Sequence, residues 1–548
     1  LITLGAGALT EKSKWEHIGV TLPGFDRPAM LAQTMEAPVW LHFGAGNIFR
    51  GFIARLQQEL LNQGISKAGI IVADTFDYEI IDRIYRPYDN LTIMADLGAS
   101  GEVTYEIIGS VAEALCANAN DQSQMLRLRE IATSPSLQLI SFTITEKGYA
   151  LHGMNGALLP MVEQDILLGP QKATHAMSIV CALLYERYNR SAAPLAIASM
   201  DNCSHNGDRL CESILEIARY WVRQGFMEMD FLDYLLDQSK ISFPWSMIDK
   251  ITPRPSESIC EKLTSLGIAK MSPITTSKGT YIAPFVNAEI PQYLVIEDKF
   301  PNGRPLFEKA GVYMTDRDTV NKAERMKVTT CLNPLHTSLA IFGCLLGFTR
   351  ISDEMQDPDL SALVNKIGFE EGLPVVTDPI IMNPKVFLCE VINERLPNPY
   401  IPDMPQRIAT DTSQKLAIRF GETIKAYVAD DRLDATQLTF IPLTIAAWLR
   451  YLLGIDDFGE PMSVSPDPLL GQLTEQLEGV NFGTPASCKG KLSWILENET
   501  LFGIDLVACG LSAKIEDMVS QMLEGKGAVR ETLSKYLNNK QAANMLKC

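Results

Sequence analysis

Residues 37–64 read APVWLHFGAGNIFRGFIARLQQELLNQG, and the order of side chains in this stretch decides the fold class. A short apolar run enters a glycine-rich turn, and the turn enters a segment that carries Phe52, Ile53, Leu56 and Leu60 at helical spacing. The expectation is strand, turn, helix. Gly44 and Gly46 suit a tight turn through which backbone N–H groups and the helix start at Asn47, Ile48, Phe49 and Arg50 approach a pyrophosphate. Phe49 stands where the third glycine of the usual fingerprint falls, so taken alone the turn also reads as a plain strand-to-helix connection.

Working outward, the apolar run AGIIVAD at 68–74 ends in Asp74, 28 residues after Gly46. An acid at a strand end suits a ribose 2′-OH and repels a 2′-phosphate, which favours NAD over NADP; the same residue also reads as a solvated turn aspartate. A third run, LQLISFTIT at 137–145, leads into EKGY. Strands alternating with helices predict an α/β fold, a doubly wound parallel sheet with helices on both faces. Beyond residue 300 helical periods dominate, as in HTSLAIFGCLLGF and IPLTIAAWLRYLLG, and the tail places Ile515, Met518, Val519 and Met522 on one face. The expected organisation is an irregular extension over 1–35, a Rossmann-type dinucleotide-binding domain over 36–308, and a mostly α-helical substrate and catalytic domain over 309–548.

The chain has 48 Lys+Arg against 66 Asp+Glu, a formal charge of −18, which disfavours nucleic acid or an anionic membrane as a partner and points to a small molecule. Eleven cysteines without a C-x-x-C pair read as reduced thiols of a cytoplasmic protein. No secretory leader is visible at the N-terminus, and the apolar stretch Leu443–Leu453 is too short to span a bilayer and contains Arg450.

The segment RMKVTTCLNPLH at 325–336 gathers polar chemistry in apolar surroundings. Asn333 and His336 share a helical face, whereas Lys327, six residues before Asn333, is rotated through about 600° on a continuous helix. The backbone must therefore change between them. Val328, Thr329 and Thr330 are poor helix formers, and Pro334 suits a first helical turn, so a helix is expected to start at Pro334 with Asn333 at its cap. A lysine against an apolar wall loses basicity and becomes a base near neutral pH, as oxidation of an alcohol requires. The bland readings are a snorkelling lysine, a helix cap and a core histidine.

The arrangement resembles the polyol-specific long-chain dehydrogenase/reductase, or mannitol dehydrogenase, family, whose branches include fructuronate and tagaturonate reductases. The resemblance rests on GAGNIFRGF, TITEKGY at 143–149, MDNCSHNG at 200–207, FPWSMIDKITPRP at 243–255, VIEDKFPNGRP at 295–305, the lysine segment, ERLPNPYI at 394–401 and AAWLRYLLGIDDFG at 446–459. It implies metal-independent hydride transfer between NAD, in preference to NADP, and a linear polyol or aldonate, of the mannitol–fructose or mannonate–fructuronate type. By the same resemblance Lys327 is the general base, Asn202 and Asn333 polarise the carbonyl, and Asp249 and Glu324 support the lysine. His336 and Arg395 match substrate-binding positions, Lys415 is a further candidate, and the site is expected in the cleft between the domains. The sequence departs from the family pattern in holding five residues rather than four between lysine and asparagine.

Competing classes are weaker. Cys203, His205 and Cys211 do not complete a zinc ligand set. Tyr536 and Lys540 match Tyr-x-x-x-Lys far from the glycine turn. A non-catalytic nucleotide- or sugar-binding protein would not need a base, an epimerase holding NAD would show no net NADH change, and a polyol-phosphate dehydrogenase would need a phosphate site.

Overall fold

The computed structural model describes residues 1–538 and divides into two compact units, one of Leu1–Leu97 with Glu102–Asn321 and a second of Gly98–Gly101 with the chain from Lys322 onward. The core of the first is a six-stranded sheet: β1 Trp40–Phe43, β2 Ile70–Asp74, β3 Val111–Cys116, β4 Leu139–Phe142, β5 Leu195–Ser199 and β6 Ile241–Ser242. Its order is β6-β5-β4-β1-β2-β3 with every pair parallel. The chain builds outward from β1 to β3, then returns to β1's other side with β4, which creates a switch point beside the glycine turn.

Side chains alternate across this sheet, and both faces are covered. Leu41, Phe43, Ile71 and Ile140 bury against helices α2 Gln122–Thr133, α3 Ala176–Arg190 and α4 Asn206–Arg223. Trp40, Ile70, Val72 and Leu139 bury on the other face with Phe49, Phe52, Ile53 and Leu56, which run through a π turn into α1 Ala54–Asn62.

The unit also holds pairings that periodicity alone did not indicate. A mixed sheet joins Phe285–Glu289, Thr92–Leu97, Val103–Ile108 and Val20–Thr21, and Ser246–Asp249 pairs antiparallel with Tyr293–Glu297. Residues 1–35 are no irregular extension: Ile2–Thr3 pairs with Ile268–Ala269, Val20–Thr21 joins the mixed sheet, and Trp15 is fully buried. Strands of two residues are too short to register as a period.

The second unit is helical. α5 Arg317–Met326 begins in the first unit and carries the chain across, followed by α6 Asn333–Leu346, α7 Phe440–Tyr451, α8 Ser512–Met522 and α9 Ala528–Asn538. Ile515, Met518, Val519 and Met522 are buried, as their spacing predicts. Buried Glu371 begins α7 by accepting hydrogen bonds from the N–H groups of Thr439, Phe440 and Ile441. Arg450 is buried with its guanidinium donating to the carbonyls of Met522, Ile455 and Asp456. One helical run among the described residues, Arg317–Leu346, is long and apolar enough to cross a membrane, and 78% of its apolar window is buried inside the protein. Cys116, Cys181, Cys331, Cys344 and Cys488 are buried free thiols.

Candidate active site

In the first unit the glycine turn is built from backbone contacts. Gly44 has φ +106°, and an added Cβ would lie 2.2 Å from the Thr143 carbonyl oxygen. Only glycine allows that approach. The Ala45 N–H donates to Asp74 Oδ2 at 3.1 Å, while Asp74 Oδ1 accepts from the N–H groups of Phe76 at 2.9 Å and Asp77 at 2.8 Å. Burial pushes the Asp74 carboxyl up, and these three donors oppose that rise. Tyr85 donates to the Ala45 carbonyl at 2.9 Å, fixing the turn from beneath.

Beyond the turn an added Cβ at Gly46 would meet nothing within 4 Å, and a helix begins at Asn47. Open space before the N–H groups of a helix start fits a dinucleotide pyrophosphate. The side chains of the expected cofactor residues are spent inside the fold. Phe49 is buried and stacked on His42 at 4.5 Å, and Arg50 donates to the Ala283 carbonyl at 2.7 Å and to Asn47 Oδ1 at 2.8 Å. Ile48 is half-buried. These residues offer a ligand their backbone. His42 itself is a core histidine: burial depresses it to about 3, and the hydroxyls of Ser141 and Thr143 hydrogen-bond its two ring nitrogens.

Exposed Asn202 lies in the loop after β5, braced on both sides. Asp201 accepts from the N–H groups of Ile144 and Thr145 and from the Tyr149 hydroxyl at 2.6 Å. Asn206 donates to the Ser199 and Ser246 carbonyls and accepts from the Ser246 N–H at 3.0 Å. That bond ties the loop to the strand Ser246–Asp249, whose last residue is the buried acid Asp249. At Gly207 an added Cβ would lie 2.6 Å from the Phe243 carbonyl oxygen, so the turn of DNCSHNG admits no side chain there. His205 stacks on Trp245 at 4.2 Å. Among the described residues no group of three or more His, Cys, Asp or Glu is placed to hold a metal ion.

In the second unit α5 runs into a π turn over Lys327–Cys331, closed by the Leu332 N–H donating to the Lys327 carbonyl at 3.1 Å. The backbone changes at Leu332, with φ −127°, and α6 starts at Asn333 with Pro334 in its first turn. Lys327 is buried; Glu324, one turn before it, and Asn333 are half-buried. A π turn closes over five residues instead of four. Four of the five residues between Lys327 and Asn333 therefore lie in this wider turn, and the fifth, Leu332, carries the break before α6.

One turn into α6, His336 Nε2 stands 3.3 Å from Asp403 Oδ2, and Asp403 also pairs with Arg407. Burial pushes the Asp403 carboxyl up, but His336 and Arg407 outweigh it and hold the group below its ordinary range. Thr337, beside His336, accepts from Arg419 Nη1. Burial lowers Arg419 to about 10, and among the described residues no carboxylate pairs with it. Lys415 donates to the carbonyls of Ile408 and Thr410; burial lowers its pKa, and Arg419 and Arg407 lower it further. Arg395 is buried at the end of a separate π turn, Val391–Arg395. Tyr536 lies on α9, while Lys540 lies outside the described residues.

Residues 39–309 match the family model of the mannitol dehydrogenase Rossmann domain, and residues 319–523 that of the mannitol dehydrogenase C-terminal domain. The chain belongs to the mannitol dehydrogenase family. It is accordingly an NAD(P)-dependent oxidoreductase acting on CH–OH groups. A relative from Thermotoga maritima, D-mannonate oxidoreductase, is 53% identical over 536 residues, covering 97% of this chain and 99% of that one. The solved structure of Pseudomonas fluorescens mannitol 2-dehydrogenase, in ternary complex with NAD and D-mannitol, aligns with TM-score 0.68 and 26% identity over 98% of this chain and all of that one. A substrate-free D-sorbitol dehydrogenase shares the fold, with TM-score 0.76 at 24% identity over 95% and 97% of the two chains.

Sequence reasoning did not single out Asp201, Asn206, Asp403, Arg407 or Arg419. The available signal was RIATDTSQKLAIRF, which places three cations in a short stretch of an acidic chain.

Proposed function

We propose that this mannitol dehydrogenase family enzyme interconverts an aldonate and a keto-uronate of the mannonate–fructuronate type with NAD, using Lys327 as general base. The observation that carries the substrate class is Arg419, a half-buried guanidinium without an acidic partner among the described residues, close to Lys415, Arg407 and the His336 helix turn. A desolvated cation of that kind suits a substrate carboxylate. The identity to a D-mannonate oxidoreductase supports the same branch.

In the oxidative direction the neutral Lys327 amine takes the hydroxyl proton as the carbinol C–H pair departs, leaving C=O. The nicotinamide, when bound, supplies the hydride acceptor. Asn202 and Asn333 donate to the oxygen, which bears developing negative charge, and donors fixed in advance stabilise it without reorganisation. Asp249 and Glu324 are assigned to hold and relay the lysine's proton, and His336, Arg395 and Lys415 to bind substrate. The glycine turn fits the pyrophosphate, and Asp74 at the end of β2 favours NAD.

The cations near His336 would also suit a phosphate monoester, which keeps a polyol-phosphate substrate in the comparison. The test follows NADH absorbance with fructuronate, tagaturonate, fructose and fructose 6-phosphate, using wild type and Lys327→Ala. Oxidation of NADH with fructuronate, lost by at least about 100-fold in the variant, is expected. Wild-type turnover in Lys327→Ala would remove the lysine from the mechanism, and turnover confined to fructose or fructose 6-phosphate would remove the carboxylate assignment.

A further inference from the structure

The first unit presents an aromatic ring that the chemistry above does not use. Phe76, two residues beyond Asp74, is 61% exposed, whereas its neighbours Asp74 and Asp77 are buried. Its backbone is fixed, because its N–H donates to Asp74 Oδ1, and Asp74 Oδ2 in turn holds Ala45 of the glycine turn. One carboxylate thus locks the ring's position to that of the expected pyrophosphate site. A hairpin, Ile274–Thr275 with Tyr281–Ile282, is fastened against the same segment. The Thr276 hydroxyl donates to Asp77 Oδ2 at 2.6 Å, and the Ser277 N–H donates to Glu79 Oε1 at 2.8 Å. These bonds bring the exposed Lys278 to the hairpin tip, with its ammonium 5.3 Å from the Phe76 ring centroid.

An exposed phenylalanine on a backbone held this firmly offers a ligand a flat ring in a fixed place, to which a base can stack. In a doubly wound sheet the dinucleotide runs from the glycine turn toward the carboxyl end of the second strand, which brings its adenosine half to that end. We propose that Phe76 is the seat of the adenine ring, with the hairpin tip carrying Lys278 as its side wall. The seat rests on the dinucleotide reading of the glycine turn and adds to it the group that recognises the base. The ring supplies stacking area, and Lys278 places positive charge beside the adenosine phosphates. Asp74, with three backbone donors on its two oxygens, acts mainly as the positioning residue that aligns turn and platform.

The experiment measures ADP-ribose binding to the purified full chain by titration calorimetry, so that neither nicotinamide nor turnover enters the readout. Phe76→Ala should weaken ADP-ribose binding by roughly 5- to 150-fold, the range for loss of one base–aromatic stack. Phe76→Trp should restore binding, since a larger ring keeps the stack. Thermal midpoints of both variants should match wild type, because the side chain is exposed. Unchanged ADP-ribose affinity in Phe76→Ala, with wild type binding normally, overturns the seat and leaves the glycine turn standing. Failure of wild type to bind ADP-ribose overturns both. A weakening in Phe76→Ala that Phe76→Trp does not restore also overturns it, since stacking would then not be the contribution lost.

Discussion

Glu354 offers the sharpest test of the energetics of the second unit. Its side chain is fully buried, neither carboxyl oxygen has a hydrogen-bond partner, and it packs so closely on α6 that a Cβ at Gly343 would lie 2.1 Å from Oε1. Burial raises its pKa well above the ordinary value, and Asp357 and Asp353 raise it further. The folded protein therefore keeps a proton that the unfolded chain releases above a pH of about 4.3. More protons in the folded state means that stability falls as pH rises, by about 1.4 kcal/mol per pH unit until the folded-state pKa is reached. Glu354→Gln keeps the shape and the unpartnered polarity but removes the titration. Relative to that variant, wild type should lose stability as pH rises from about 4.3 toward the folded-state pKa, at up to about 1.4 kcal/mol per pH unit. For a helical unit of this size each kcal/mol is roughly 2–4 °C in thermal midpoint. The assay is the unfolding midpoint of both proteins at each pH, where taking the difference cancels every other titrating group. Parallel pH profiles would refute the reasoning, since they would mean that Glu354 ionises as readily in the fold as outside it.

Other expectations follow from single contacts. Gly44→Ala should cost roughly 2–5 kcal/mol, because the new Cβ meets the Thr143 carbonyl at a positive φ; a wild-type melting temperature would show that the turn is pliable. Glu371→Ala strips three N–H groups of their acceptor at the start of α7 and should cost about 3 kcal/mol, read as a fall in the denaturation midpoint. Arg419→Met should raise KM for a keto-uronate roughly 10- to 100-fold while leaving kcat nearly unchanged, and equal effects on a neutral ketose would argue against a carboxylate contact.

The sheet was legible because its strands are buried on both faces and bounded by glycine or acid, so AGIIVAD and LQLISFTIT stand out from the helices around them. The helical second unit was legible through its apolar spacing. Residues 1–35 were not, since their strands borrow partners far along the chain. Within the candidate site, Lys327 and Asn333 stood out as polar residues in an apolar segment, whereas their roles, and Asn202 altogether, came from the family resemblance. Sequence could not say that Arg50, Asn47 and Phe49 turn inward, because a polar or aromatic residue beside a glycine turn looks the same whether it faces a ligand or a carbonyl 233 residues away, as Arg50 does. Asp201 and Asn206 were missed for a related reason. Each acts by fixing neighbours, and nothing in their identity distinguishes a brace from a bystander.

The π turn at Lys327–Cys331 separates chain length from reach. A single added residue in an ordinary helix rotates everything beyond it by about 100° and carries the following side chains to another face. Here the wider turn holds four of the five residues between Lys327 and Asn333, and α6 starts anew after the break at Leu332. A segment wound in this way can accept an insertion or a deletion, provided that the change alters how tightly one turn is wound and not which way the next helix faces.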